Sequence, residues 1–388
     1  MFNLILLLTP VYITFFWTIV LHFFTGRKHT PKQFLGKFMV ASLVLYLSHF
    51  FYFSGNYGIY YYMDSFYLLA SLSVYPLYHI YVRLLTAETS FSWASHGKFL
   101  LPPVVIFVFY AAGIVWISRE EHYYFIKNVM GGGEVAGGPQ LYLLWVYYIS
   151  RGVFVVQVLY YLYTNFTLIV KNNKRLQEFY SNTEQYRLRW VQFFNISLAL
   201  TSLASIAAAI TGREAFASGE YSLAGPSIVF SSMLFFIGLL GIKQNSVQIE
   251  LNAEDKAEEE QEQKDISEKK LQQELEILFE DQQVFKNPDL KIWDISRMLG
   301  TNRTYVSRFI NQQYNRNFCN HVNHYRVLYI KKKLRENPGI PNNHLAESSG
   351  FGSVSSLYRA FENSEGISLS TYKNSLMAES RSVGANQP

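Results

Sequence analysis

The chain has 388 residues, 49% of them hydrophobic and only 16% charged, well below the ~25% charged residues of soluble domains. Its single cysteine, Cys319, excludes an internal disulfide and a multi-cysteine zinc site and reads as a small buried helix residue. The net charge of +5 hides a split, because long uncharged stretches precede Gly241 and the last third is dense in charge.

Spanning a bilayer takes roughly 20 mainly apolar residues. Seven segments qualify, near 2–25, 36–55, 57–83, 99–118, 140–168, 191–210 and 223–242, and together they predict an all-α, seven-helix membrane module over residues 1–243. The first run has no Lys or Arg ahead of it and is followed by Arg27 and Lys28, which predicts a retained helix with its N-terminus outside rather than a cleaved secretory signal. In that orientation the inside segments hold Arg27, Lys28, Lys32, Lys37, Arg83, Lys98, Lys171, Lys174, Arg175, Arg187, Arg189 and Lys243. The outside segments hold Arg119, Lys127 and Arg213. Cytoplasmic loops are the ones rich in Lys and Arg, so the remainder of the chain is expected in the cytoplasm.

Two charges fall inside predicted spans. Asp64 and Arg151 sit at comparable depth in the outer half, and intramembrane charges usually face the protein interior and pair or serve a site. One reading has them face each other across an outward-facing cavity, as an intramembrane signal site. A structural ion pair, or two side chains snorkelling separately to the surface, is the preferred account. His22, His49 and His79 are scattered in sequence and depth, so neither a metal site nor a cofactor is expected. The outer loop 119–139 contains a glycine run from Gly131 to Gly138 that is expected to be flexible and poorly ordered, and it is too small to form a sensor domain of its own.

Thirteen acids and four lysines follow between Glu250 and Gln283. Residues 244–267 read as a solvated acidic linker that cannot bury a core. Leu271, Leu275 and Leu278 then form an apolar stripe at helical spacing. With only about one and a half heptads, this stripe predicts the first helix of the next domain better than a coiled coil.

From Val284 to Asn374 there are thirteen Lys and Arg against six acids. That balance suits phosphate neutralisation, although a basic face beneath an anionic membrane would look the same. The pattern within the segment separates the two. Residues 294–310 and 344–361 each read as a helix, a turn at Gly300 or Gly350, and a second helix, the layout of a helix-turn-helix. The marks Asn287-Pro-Asp-Leu290, Ile295-Ser-Arg-Met-Leu-Gly300, Tyr305-Val-Ser-Arg308, Arg326, Ser349-Gly-Phe351, Leu357-Tyr-Arg-Ala-Phe361 and Gly366-Ile-Ser-Leu-Ser-Thr-Tyr372 occur in order. On these marks, residues 268–375 resemble the DNA-binding domain of AraC/XylS-type transcriptional regulators. The chain departs from that family at Asn311, Glu362 and Leu369, where it usually has a longer residue, Lys and Pro. Residues 376–388 read as a disordered tail.

Helix geometry assigns the faces. Asn302 is the expected N-cap of the first recognition helix, with Arg303, Thr304, Ser307 and Arg308 on its outer face. Val354, Ser355, Tyr358 and Arg359 occupy the corresponding face of the second, and Lys332 on the connecting helix is expected at the DNA backbone. Arg308 suits a bidentate guanine contact and Val354 a thymine methyl; either Arg is otherwise a phosphate contact. No catalytic constellation appears. The resemblance implies double-stranded promoter DNA as partner, RNA polymerase if the protein activates, and a bacterial inner membrane as the site of the bilayer-embedded half. A homodimer, the signal ligand, a protein partner in place of DNA, and proteolytic release at the linker all stay open.

Overall fold

The computed structural model describes residues 2–23, 31–86, 91–131, 133–135, 137–184, 188–211, 224–243 and 267–384. Helices dominate, and among the described residues there is no β-strand, only an isolated bridge between Tyr180 and Lys291. The chain divides into two compact units. The first holds Met1–Val170 and Leu188–Ile249; the second holds Lys171–Arg187 and Glu250–Pro388.

The first unit contains α1 (Phe2–Phe23), α2 (Pro31–Phe53), α3 (Tyr57–Thr86), α4 (Leu101–Val115), α5 (Arg119–Lys127), α6 (Gly138–Phe179), α7 (Arg189–Thr211) and α8 (Ala224–Lys243). A one-turn helix and a 3-10 turn lead into α4. Among the described residues, six of these helical stretches are long and apolar enough to cross a membrane. The sixth predicted span, 191–210, falls on α7, whose described apolar stretch, Trp190–Leu203, is shorter than the other six.

An apolar helix has to satisfy its backbone internally, and hydroxyl side chains help where the ladder fails. Pro10 has no N–H to give to Leu6, and Thr9 Oγ1 donates to that carbonyl at 2.7 Å. The bundle buries two apolar clusters. One joins α1, α2, α3, α6, α7 and α8 around Leu35, Phe38, Ile80, Tyr81, Val191 and Ile237. The other joins α3 through α6 around Leu72, Tyr110, Phe125 and Leu143. The outer loop begins with the folded helix α5, ahead of the glycine run. Ser118 and Glu121 cap it reciprocally, and Phe125 and Ile126 are buried.

Helix α6 is 42 residues long, about 60 Å at 1.5 Å per residue and twice what the ~30 Å hydrocarbon core needs. Its polar end from Lys171 onward belongs to the second unit.

The second unit continues with α9 (Glu268–Glu276) and a π-turn (Ile277–Asp281), then α10 (Ile292–Met298), α11 (Arg303–Tyr314), α12 (Phe318–Glu336), α13 (Asn342–Ser348), α14 (Val354–Glu365) and α15 (Leu369–Gly384). Leu271, Leu275 and Leu278 are buried, and the ring of Phe279 packs on His321 and Tyr325 of α12. The apolar stripe thus begins this unit, as its spacing predicts. Linker residues 244–266 lie outside the described residues. Helix α15 runs to Gly384, with Leu369, Tyr372 and Leu376 of its first two turns packed on the core.

Candidate nucleic-acid interface

Helices α10 and α11 form the first helix-turn-helix. Gly300 closes α10 at φ +64°, a left-handed conformation that costs glycine nothing. Asn302 caps α11, its side-chain oxygen accepting from Tyr305 N at 2.7 Å. Val306, Phe309 and Ile310 are buried, which turns Thr304 and Arg308 fully outward and leaves Ser307 half-buried. The Arg308 guanidinium lies 5.4 Å over the Tyr305 ring. Arg303 does not share this exposed face. Its guanidinium stacks 4.9 Å from the Phe179 ring and 5.2 Å from Trp293.

Helices α13 and α14 form the second. Gly350 has φ +83°, and a Cβ there would meet the carbonyl oxygens of Phe285 and Lys286 at 2.6 Å. The position is thus glycine for two reasons, handedness and close approach. Ser353 caps α14 by accepting from Ser356 N at 3.1 Å, and Leu357 and Phe361 are buried. Ser355 and Tyr358 face outward, with the Tyr358 hydroxyl accepting from Asn342 Nδ2 at 2.8 Å. Val354 packs partly against the core. Arg359 is half-exposed and forms an ion pair with Glu184.

Glu184 lies just beyond α6, in a segment that belongs to this unit. Tyr180 and Ser181 are buried. Ser181 N donates to Leu290 O at 3.1 Å, while its own carbonyl accepts from Cys319 Sγ at 3.3 Å. Cys319 is thereby a buried helix residue, as expected. The segment's spacing holds no motif, so its role could not be found from periodicity.

Helix α12 ties the two halves together. Arg326 is buried and donates from Nε to Phe285 O and from Nη2 to Asn287 O, each at 2.8 Å. Burial lowers its pKa to about 10, which leaves it charged at neutral pH. Lys331 Nζ donates to Glu365 on α14 at 2.5 Å, and Lys333 Nζ to Glu336 at 2.9 Å. Lys332 is exposed, so of these lysines it is the one turned to solvent. His321 is buried among Phe279, Tyr314 and Tyr325. Burial, with Arg316 and His324 near, pushes its pKa down to about 3.

Residues 295–375 match the family model of a helix-turn-helix domain, of the AraC type. The C-terminal third is an AraC-type helix-turn-helix domain. No curated protein and no solved structure matches the chain. In this AraC-type domain the first recognition helix presents Thr304 and Arg308 to solvent, and the second presents Ser355 and Tyr358. Glu362, where the family usually carries Lys, is exposed at the end of α14. Leu369, where it usually carries Pro, is buried and starts α15.

In the bundle, Asp64 and Arg151 have different partners. The Asp64 carboxylate accepts from the Tyr110 hydroxyl at 2.5 Å and lies 3.1 Å from His122 Nε2, all three side chains buried. Arg151 Nη2 donates to the Tyr147 hydroxyl at 2.7 Å. It lines a cavity of about 560 Å³ shared with His49, Tyr75, Ser150 and Ser202, and Asp64 is not in that lining. Equal depth fixed neither azimuth, and a helix turns ~100° per residue. His122 was missed because α5 read as loop, and Tyr110 because an uncharged residue within a predicted span carries no signal of its azimuth. His49 lines the cavity, and His79 Nδ1 lies 2.7 Å from Asn165 Oδ1. Among the described residues no group of three His, Cys, Asp or Glu could hold a metal ion.

Proposed function

We propose that this chain is a membrane-anchored, one-component transcription regulator that couples an event in its helix bundle to promoter binding by the AraC-type domain. The observation that carries this is the outward pair Thr304 and Arg308 on a capped recognition helix, in the same chain as six helices apolar enough for a bilayer. Thr304 and Arg308 have the chemistry to read base edges in a major groove. Lys332 supplies a backbone contact that positions without specifying. Seven apolar segments in the sequence support seven spans, and the side on which Lys and Arg gather supports an N-terminus outside with the reader in the cytoplasm.

The cavity beside Arg151 is the proposed place where a signal enters. Its volume falls within the ~300–1,000 Å³ of small-molecule sites, and one cation set in an apolar wall suits an anionic head on an apolar body. The Asp64 cluster is then structural and holds α3, α4 and α5 together.

The decisive experiment is to sequence genomic fragments retained by the purified full chain in detergent. Enrichment of one shared sequence, lost in Arg308→Ala, is the expected result. Retention without sequence preference overturns the regulator reading. A signal site at Arg151 is tested separately with Arg151→Gln in a reporter strain, where loss of response with DNA binding unchanged is expected.

A further inference from the structure

We propose that residues 177–184 of this chain are a built-in competitor for DNA, with the Glu184 carboxylate taking the place of a backbone phosphate at the second recognition helix. This rests on the reading of the C-terminal domain as a DNA binder. Both carboxylate oxygens are engaged. Oε1 pairs with the Arg359 guanidinium, and Oε2 accepts from the Ser353 hydroxyl at 2.7 Å. Ser353 is the N-cap of α14, a helix of 12 residues. The first turn of a helix carries free N–H groups and partial positive charge, which favour an anion. A guanidinium on one oxygen and the hydroxyl that caps a helix N-terminus on the other are groups that would take a phosphate as well. Here a carboxylate of the same chain takes that place.

The remainder of the segment holds that carboxylate in place. The Asn182 side chain accepts from Glu184 N at 3.3 Å. Arg326 Nη2 donates to Ser181 Oγ, and Asn317 Nδ2 to Gln177 Oε1, each at 3.3 Å. The Phe179 ring lies 5.4 Å from that of Trp293, with Arg303 stacked over both. The segment therefore engages an arginine of each recognition helix, Arg303 in the first and Arg359 in the second. DNA and Glu184 cannot hold Arg359 and Ser353 together, because two anions would share one site.

The test uses the full chain in lipid nanodiscs and a 30-base-pair mixed-sequence duplex, titrated over a range of salt. Glu184→Gln keeps the shape and removes the charge. It should tighten binding roughly fivefold and steepen the log–log salt dependence by about one unit, the signature of one added phosphate contact. Glu178→Gln removes an equal charge from an exposed position of the same segment and should change affinity less than twofold. In the unaltered chain, saturating duplex should raise hydrogen exchange across 177–184. Equal affinity and equal salt slope for Glu184→Gln and the unaltered chain, with both binding DNA, overturn the competitor and leave the regulator standing. Equal gains from Glu178→Gln and Glu184→Gln overturn it also, as they show net charge alone. If no form binds duplex at any salt, both proposals fall.

Discussion

The two helix-turn-helix units are built alike and presented differently. Each has a left-handed glycine at its turn and a capped recognition helix with two or three residues sunk in the core. The first leaves Thr304 and Arg308 open to solvent. The second has Arg359 held by a carboxylate, and Glu362 adds an acid at its far end. Reading heads of one design can thus be set unequally by what lies against them. On the reading proposed above, the first supplies specificity and the second a grip that Glu184 controls.

The turns separate the units most sharply. Gly350→Ala forces a Cβ against two carbonyl oxygens in a left-handed backbone and should cost about 3 kcal/mol or more. Gly300→Ala meets open space at its φ of +64°, so only the backbone strain of about 1–2 kcal/mol applies. Urea unfolding followed by hydrogen exchange in α12 measures both, and equal costs would erase the distinction. Binding separates them next. Arg308→Ala should lose about 1–3 kcal/mol and all preference at one base position. Arg359→Ala should lose less in the unaltered chain than in the Glu184→Gln background, since Arg359 begins engaged. Competition binding against a set of single-base variants gives both values.

Acid should also act unequally. His321 packs on Phe279, Tyr314 and Tyr325 beside the first unit, whereas the second unit's cluster is apolar. Unfolded, the imidazole titrates near ~6.5; folded, it is held near 3. The folded state therefore binds fewer protons, and its stability is full above pH 6.5 and falls as pH drops. At pH 5 the loss is about 2 kcal/mol. Exchange rates corrected for intrinsic pH dependence should rise in α11 before α14, and His321→Phe should flatten the response. The smallest effect is expected of Lys332→Ala: a uniform loss across sequences and a salt slope lower by about 0.9. A base-dependent loss there would assign Lys332 a reading role.

How much of this was legible followed from the range of each interaction. The recognition helices, their glycine turns and the Asn302 cap depend on spacings of three and four residues, which the sequence displays directly. So does the stripe at Leu271, Leu275 and Leu278. The stacking of Arg303 was not legible, because its partner Phe179 lies over a hundred residues away on α6. Glu184 stood in a polar loop with no pattern to mark it. Depth placed Asp64 and Arg151 at one level, but only packed helices give azimuth, and packing gave Asp64 to His122 and Tyr110. The long-range polar contacts define the site, and they are what periodicity cannot express.

The backbone from Phe285 to Asn287 is held twice within the domain. Gly350 abuts its carbonyls from one side, and Arg326 clasps them from the other. The second turn and the connecting helix therefore share one stretch of backbone, and loosening either, by Gly350→Ala or Arg326→Gln, should raise hydrogen exchange at residues 285–287.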